Sequence, residues 1–310
     1  MQNHPTDALE TVGDFIRWSA SQFVAAELCF GHGTDNALDE AAALVLGTLR
    51  LPADLHPIYF QCRITPPERS ALMANVRERI ERRRPVPYLL GEAWFCGLAF
   101  TVTEAVLIPR SPIAELIEAD FRPWVDSSRV EQIVDVGTGS GCIAIASALA
   151  FTNAKVTALD CSKAALAIAR DNVERYGVSE QVSVQASDWL SAIPPQPMVD
   201  LIISNPPYVD ARAMADLPAE YRHEPRGALA SGQDGLDAVR ALLPQAAQRL
   251  TDHGVLVVEI GHGAAMFEQV FADLPVTWIE LERGGAGVFV IDAASLRQAF
   301  PGADAQRSTE

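Results

Sequence analysis

Residues 132–142 read QIVDVGTGSGC, an apolar run that ends in a glycine-rich turn, and a second apolar run follows over residues 141–150. Gly137 and Gly139 permit a tight turn from a strand into a helix and let a ligand approach the backbone closely. From residue 131 onward, strand-like runs alternate with helical stretches, a pattern typical of an open parallel sheet. The stretch therefore predicts an α/β fold in which residues 132–136 form the first strand.

The remaining elements of this sheet follow from the same alternation. The predicted strands are 132–136, 155–160, 182–186, 199–204 and 254–260, with helices over 141–150, 162–176 and 236–251. Residues 276–281 and 287–291 predict a closing hairpin around a Gly-rich turn.

The glycine-rich turn favours a particular class of ligand. Its third glycine is Gly141, whereas a dinucleotide fingerprint needs one at position 142, which is Cys142. Asp135 would repel a pyrophosphate and attract an ammonium group. Asp160, 23 residues after Gly137, lies where a carboxylate takes the hydroxyls of a ribose. A ribose, a positive charge and no pyrophosphate together predict S-adenosylmethionine; the alternative is a tight turn with an unrelated Asp160.

Other residues at the ends of the predicted strands complete the expected cofactor site. After the third strand, Trp189 is predicted to form an apolar wall against the adenine, with Asp188 near its exocyclic amine. The full set of predicted cofactor contacts is Asp135, Gly137, Thr138, Gly139, Ser140, Gly141, Asp160, Asp188, Trp189 and Asn205.

The fourth strand is followed by the segment SNPPY, residues 204–208. Two prolines remove two backbone donors, so this loop offers carbonyl oxygens, one amide and one aromatic face. Such a surface suits a planar NH2 group, with Asn205 and a carbonyl beside Pro206 as acceptors and Tyr208 against the flat face. Asn205, Pro206, Pro207 and Tyr208 are therefore the predicted catalytic and substrate-binding residues. The alternative is an ordinary proline-rich turn.

The chain before the sheet has a different pattern. Residues 7–84 show helical periodicity, and Thr65 with Glu68 predicts the capped start of a helix. The basic run from Arg79 to Arg84 is interpreted as cations at a helix C-terminus, with a substrate-contact patch as the alternative. A hairpin is predicted over 94–102 and an apolar strand over 106–108. The expected domains are 1–90 (helical, substrate recognition), 91–104 (β-hairpin linker) and 105–310 (methyl-donor binding and catalysis).

Composition restricts the class of protein. The 310 residues are 49% hydrophobic and carry a net charge of −16, which argues against broad nucleic-acid binding and favours either cationic partners or solubility alone. Five scattered cysteines without a C-x-x-C spacing favour free thiols and a cytoplasmic location, and the histidines show no metal-ligand spacing. No metal and no membrane segment are expected.

Three further segments carry a resemblance to a known family, the HemK-like protein-glutamine methyltransferases. They are GEAWFCGL at 91–98, IPRSPIAELI at 108–117 and YRHEPRGAL at 221–229. The resemblance implies a Rossmann-like S-adenosylmethionine-dependent methyltransferase sheet, an N-terminal helical domain and a connecting β-hairpin. It implies contact of Gly137, Thr138, Gly139, Asp160, Trp189 and Asn205 with the cofactor. Arg110, within the second segment, is predicted to contact the substrate.

The same segments bear on the acceptor. The release-factor branch of this family typically follows its Pro-Arg with Pro, an acidic residue, Thr and Glu, whereas this chain has Ser111, Pro112 and Ile113. The resemblance therefore implies a basic protein partner, large-subunit ribosomal protein uL3. The alternatives are a release-factor glutamine, an adenine amino group in DNA or RNA, and a non-catalytic module on the ribosome.

Overall fold

The computed structural model describes residues 8–196 and 198–301, which divide into two compact units. The first, called here the helical unit, takes the chain through Ala93 together with Val102–Glu104 and Pro218–His223. The second, the sheet unit, comprises Trp94–Thr101, Ala105–Leu217 and the chain from Glu224 onward. The helical unit is thus discontinuous in sequence. The prediction that residues 1–90 recognise the substrate stays a prediction.

Four helices and one 3-10 turn form most of the helical unit: α1 (Val12–Ala25), α2 (Ala37–Thr48), α3 (Pro66–Glu81), α4 (Val86–Leu90) and the turn Pro57–Gln61. The predicted cap of α3 is confirmed, because the backbone N–H and hydroxyl of Thr65 both donate to Glu68 at 2.8 Å. The core of the unit is apolar and fully buried, with Phe15, Phe23, Leu44 and Leu72 at its centre.

Arg79, the first cation of the basic run, lies in the last turn of α3 and is buried. It follows Leu72 and Val76 on the buried face of α3 and is 0% exposed. Its guanidinium pairs with Glu40 at 2.6 Å and with Glu220 at 3.3 Å, and it donates to the Cys29 carbonyl at 2.8 Å. Arg79 therefore lies at the predicted helix C-terminus, but helical spacing turns this position inward, where two carboxylates neutralise it.

A seven-stranded sheet with the order β5-β4-β3-β6-β7-β9-β8 forms the centre of the sheet unit. Its strands are β3 (Gln132–Val136), β4 (Lys155–Asp160), β5 (Val182–Ala186), β6 (Val199–Ser204), β7 (Leu250–Glu259), β8 (Thr277–Trp278) and β9 (Val288–Asp292). Strands β3 to β7 are parallel, and β9 runs antiparallel to both β7 and β8. The predicted α/β fold and the closing antiparallel pair are confirmed.

Helices cover both faces of this sheet. They are α5 (Ile113–Glu118), α6 (Cys142–Ala150), α7 (Lys163–Arg175), α8 (Ala211–Asp216), α9 (Asp237–Ala247), α10 (Ala264–Val270) and α11 (Ala293–Ala299). Alternate residues of the strands join two separate cores, so that Ile133 and Ile203 pack on one side and Val134 and Ile202 on the other. A two-stranded hairpin, β1 (Glu92–Phe95) and β2 (Leu98–Thr101), precedes the sheet.

The predicted strand over 106–108 is wrong. Val106 and Ile108 are buried, but the segment forms no strand. The backbone N–H of Ile108 donates to the Glu224 carboxylate at 3.1 Å. A buried side chain therefore satisfies a donor that a sheet ladder would otherwise satisfy, and an apolar run alone does not distinguish the two cases.

Candidate functional site

The loops that carry the predicted site lie at one edge of the sheet, because the strands that lead into them are parallel and in register. Val136 is level with Leu159 of β4 and with Ser204 of β6. Asp160 is level with Ala186 of β5. The glycine-rich loop, Asp160, the segment after β5 and the Asn205 loop therefore meet at the carboxyl edge, where ligands bind in open parallel sheets.

The glycine-rich loop is a backbone structure that side chains would strain. Gly137, Gly139 and Gly141 have φ angles of 76°, 56° and 83°, in the left-handed region. A Cβ built on Gly137 lies 3.9 Å from the carbonyl oxygen of Asn205, so the two predicted loops face each other closely. The Asn172 amide holds the loop by donating to the Ser140 carbonyl at 2.8 Å. Three glycines thus let the backbone turn tightly and leave open space beside Asn205.

Asp135 lies beneath this loop and braces it. Its carboxylate accepts the Thr138 hydroxyl at 2.6 Å and the Ala144 backbone N–H of α6 at 3.1 Å. Burial raises the pKa of Asp135 to about 7, with a smaller contribution from the negative charge of Asp160. The structure therefore shows Asp135 joining β3, the loop and α6, and its contact with a cationic ligand stays a prediction.

Asp160 connects the end of β4 to the same loop. One carboxylate oxygen accepts the Gly139 backbone N–H at 2.9 Å, and the other accepts that of Ser162 at 2.8 Å. Each oxygen keeps a second lone pair with which it can accept a hydroxyl. Asp160 is therefore oriented by the backbone on both sides while remaining able to bind a diol.

The segment after β5 adds an aromatic residue to this edge. The Ser187 backbone N–H donates to the Asp160 carbonyl at 3.0 Å, which fixes the start of the segment. Asp188 is exposed, whereas Trp189 is half-buried against the core and has a φ angle of 51°. A large residue in that conformation is strained. The structure thus places a flat indole at the edge where the sequence predicts the wall of an adenine site.

The Asn205 loop starts at a fixed point and presents an unused acceptor. The hydroxyl of Ser204 donates to the Val136 carbonyl at 2.8 Å, which ties the end of β6 to β3. The side-chain oxygen Oδ1 of Asn205 is buried and has no hydrogen-bond partner among residues 8–196 and 198–301. An unpaired buried acceptor is costly in a folded protein, and a ligand NH2 group would satisfy it.

Two carboxylates near the Asn205 loop, Glu224 and Glu259, are not among the site residues predicted from the sequence. Tyr208 donates its hydroxyl to Glu259 at 3.1 Å. Arg110 forms a two-pronged ion pair with Glu224, with both N–O distances 2.6 Å. The predicted substrate contact Arg110 thus has a structural partner. Glu259 leaves one signal in the sequence, since it is a charged residue at the end of the buried run Val255–Val258.

Three further observations concern the structure beyond the predicted site residues. A groove of about 420 Å³ borders β8 and β9, with Trp278, Glu280 and Gly285 in its lining, and none of its lining residues is a predicted site residue. Within the described ranges, no group of three or more His, Cys, Asp or Glu side chains could hold a metal ion. Among the described helices, none is both long and apolar enough to cross a membrane.

The chain is similar in sequence to known proteins. A family model described as the methyltransferase small domain matches residues 123–222. The ribosomal protein uL3 glutamine methyltransferase of Burkholderia pseudomallei is 45% identical over 303 residues, which cover 96% of this chain and 98% of that protein. The protein of the same description from Bordetella pertussis is 43% identical over 297 residues, with coverages of 96% and 99%.

Similarity to solved structures is weaker. The crystal structure of the hMettl16 catalytic domain in complex with a MAT2A 3'UTR hairpin is 17% identical, covers 73% of this chain and 81% of that chain, and has a TM-score of 0.49. Nothing about the substrate of this chain follows from that similarity.

Proposed function

This chain belongs to the ribosomal protein uL3 glutamine methyltransferase family, and on that premise we propose that it transfers a methyl group from S-adenosylmethionine to the side-chain amide nitrogen of a glutamine in ribosomal protein uL3. The observation that carries the proposal is the buried Oδ1 of Asn205, which has no partner among the described residues, in a residue whose backbone carbonyl faces Gly137 of the glycine-rich loop. An amide NH2 is a donor that this acceptor can take.

The residues at the carboxyl edge fit S-adenosylmethionine. The loop from Gly137 to Gly141 leaves backbone space that a Cβ would fill, Asp160 can accept the ribose hydroxyls, and Trp189 offers an apolar face for the adenine. Asp135 adds negative charge beneath the loop when it is ionised. Bound S-adenosylmethionine supplies an electrophilic methyl group on a sulfonium.

Positioning is the main contribution of the protein to this transfer. A glutamine amide nitrogen is a poor nucleophile because its lone pair is delocalised into the carbonyl. Asn205 accepts one amide proton and a carbonyl beside Pro206 accepts the other, which aims the nitrogen at the methyl group. Alignment of this kind contributes up to roughly 7–11 kcal/mol. The nitrogen becomes acidic only after methylation, so no base has to remove a proton before transfer.

Separate substrate pools test the proposal. The protein is incubated with methyl-labelled S-adenosylmethionine and, in parallel, with uL3, with peptide chain release factor and with nucleic acid. We expect label in uL3, released on hydrolysis as N5-methylglutamine. Label found only in release factor or only in nucleic acid contradicts the proposed acceptor, and absence of label from all three contradicts the proposed activity.

A further inference from the structure

Glu259 is a buried carboxylate whose two oxygens each accept one hydroxyl. It ends β7 and is 5% exposed. Tyr208 donates to Oε1 at 3.1 Å, and Ser111 donates to Oε2 at 2.5 Å. The Ser111 oxygen itself accepts the backbone N–H of Ile113 at 3.2 Å, so its single proton is directed to Glu259. Glu259 therefore connects the Asn205 loop to the start of α5.

No cationic side chain among the described residues neutralises the buried Glu259 carboxylate by an ion pair. No Lys, Arg or His of the described residues forms an ion pair with it, and the nearby Arg110 directs both terminal nitrogens to Glu224. Burial raises the pKa of Glu259 to about 7, while the hydrogen bonds from Ser111 and Tyr208 and, after them, the charge of Arg110 act to lower it. The folded pKa lies above the usual value of 4.5, so this group's contribution to stability is complete below that pH and is lost as pH rises through 7. Near neutral pH the fold thus maintains a costly carboxylate whose bonds go to two hydroxyls.

Tyr208 is confined on its other side by the backbone. Gly261 has a φ angle of 51°, and a Cβ built on it would lie 2.6 Å from Cε2 of the Tyr208 ring. The ring therefore packs directly against the chain just after Glu259. Contact with Gly261 limits the position of the ring, and the hydrogen bond to Glu259 sets its direction.

We propose that Glu259 is a positioning residue for methyl transfer, which acts through Tyr208 by fixing the ring beside the amide acceptor at Asn205. The inference rests on the proposed function and deepens it. Without the hydrogen bond to Glu259, the Tyr208 ring still packs in the site. It no longer holds the flat face of the acceptor amide in one orientation. Loss of orientation slows transfer without removing binding contacts.

A double-mutant cycle in the full chain tests this inference. We expect Glu259→Gln to lower kcat about ten- to hundredfold, with KM for uL3 and Kd for S-adenosylmethionine within about twofold of the wild type. Tyr208→Phe removes the same hydrogen bond from the other side, so the double variant is expected to be no slower than the slower single variant. The matched control is Glu174→Gln on the exposed face of α7, with wild-type rates expected. Wild-type kcat in Glu259→Gln, or additive losses in the double variant, overturns the inference.

A second measurement separates this inference from the proposed function. The chain has five tyrosines, so ring-labelled tyrosine gives few NMR signals, and that of Tyr208 is identified by its loss in Tyr208→Phe. We expect this signal to shift in Glu259→Gln and in Ser111→Ala. An unshifted signal overturns the inference whichever protein is methylated, whereas wild-type chain that leaves uL3 unlabelled overturns the proposed function alone.

The pH profile supplies a third readout. Besides Tyr208, the charged groups that face this site are Arg110 and Glu224. Because Asp135 also has a pKa of about 7, the profile is compared in an Asp135→Asn background. There we expect kcat to fall below pH 7 as Glu259 takes up a proton, and the fall to be absent when Glu259→Gln is added. An identical fall in both proteins overturns the inference.

Discussion

Asn205 combines a fixed backbone with an unsatisfied side chain. The strand before it is held to β3 through Ser204, and two prolines after it restrict the loop. Its buried Oδ1 is consequently held in place without a partner among the described residues. A rigid, unsatisfied acceptor suits a ligand whose position matters more than its affinity.

Replacing Asn205 is expected to separate catalysis from cofactor binding. Asn205→Ala removes the acceptor that orients the amide, so single-turnover methyl transfer to uL3 is expected to fall at least about 100-fold. Calorimetry with S-adenosylmethionine is expected to show only a modest loss of affinity, because the glycine-rich loop and Asp160 remain. Asn153→Ala, at an exposed turn, is the matched control. A wild-type transfer rate in Asn205→Ala contradicts the assigned role.

Asp135 makes stability depend on pH in a direction opposite to that of an ion-paired carboxylate. Its folded pKa of about 7 lies above the usual value of 3.8. Its contribution to stability is therefore complete below pH 3.8 and is lost as pH rises through 7. The wild type is expected to lose this contribution between pH 5 and pH 8, whereas Asp135→Asn has no such group to ionise. Relative to the wild type, the free energy of unfolding of the variant should therefore rise by roughly 2 kcal/mol over this range.

Urea denaturation at the two pH values measures this difference. Asp171→Asn, at an exposed position of α7, serves as the control and is expected to track the wild type. A shift of the opposite sign for Asp135→Asn would mean that the ionised carboxylate stabilises the loop.

At the scale of elements, the segment between β2 and α5 is held by side chains in place of a ladder. The Glu224 carboxylate binds both the Arg110 guanidinium and the Ile108 backbone N–H. Glu224 is fully buried and the Arg110 side chain is 22% exposed. A two-pronged pair of this kind depends on the planar fork of arginine.

Arg110→Lys is therefore not a conservative change. A lysine ammonium cannot bind both oxygens in this geometry, so the free energy of unfolding is expected to fall by about 1–3 kcal/mol. Arg122→Lys, whose pair with Asp120 is mostly exposed, is expected to change it by less than about 0.5 kcal/mol. Equal effects in urea denaturation would show that the Glu224 pair contributes no more than a surface pair.

The elements that sequence alone predicts are those whose signal is local. Strands β3, β4, β5 and β6 have the bounds predicted from their β-branched apolar runs, because buried parallel strands read as continuous apolar segments. Strand β7 begins four residues earlier than predicted. The polar residues Thr251, Asp252 and His253 interrupt the apolar run on which the predicted start was based. The helix α11 was missed, although Asp292 caps it.

What the sequence could not show depends on partners far along the chain. The strand-like run at 106–108 is irregular because of Glu224, 116 residues away. Likewise, nothing near Glu259 indicates that Ser111 and Tyr208 will both reach it. The sequence therefore predicts the site residues that directly follow a strand. The contacts that orient them come from distant parts of the chain and are seen only in the structure.

At the scale of the whole molecule, charge is expected to govern encounter with the substrate. The chain carries a net charge of −16, and the proposed acceptor protein is basic. Long-range attraction between such partners accelerates association and is screened by salt. We expect kcat/KM for intact uL3 to fall several-fold between about 50 and 300 mM salt.

The control for this prediction is a short, uncharged peptide that contains the target glutamine. Its kcat/KM is expected to stay nearly constant over the same range, because it has no net charge to steer. Equal salt dependence for the peptide and for uL3 would instead point to an effect of salt on the enzyme itself.

The ion pair between Arg79 and Glu220 also bears on the order in which the chain can fold during its synthesis. The two residues are 141 positions apart, yet both belong to the helical unit. A ribosome that adds about 5–20 residues per second exposes Glu220 roughly 7 to 28 seconds after Arg79. During that interval Arg79 has only Glu40 as a carboxylate partner, and the Pro218–His223 segment of the unit does not yet exist. The helical unit is thus first in sequence, but it cannot complete its native packing until the sheet unit has been synthesised through β6 and its Pro218–His223 segment has followed.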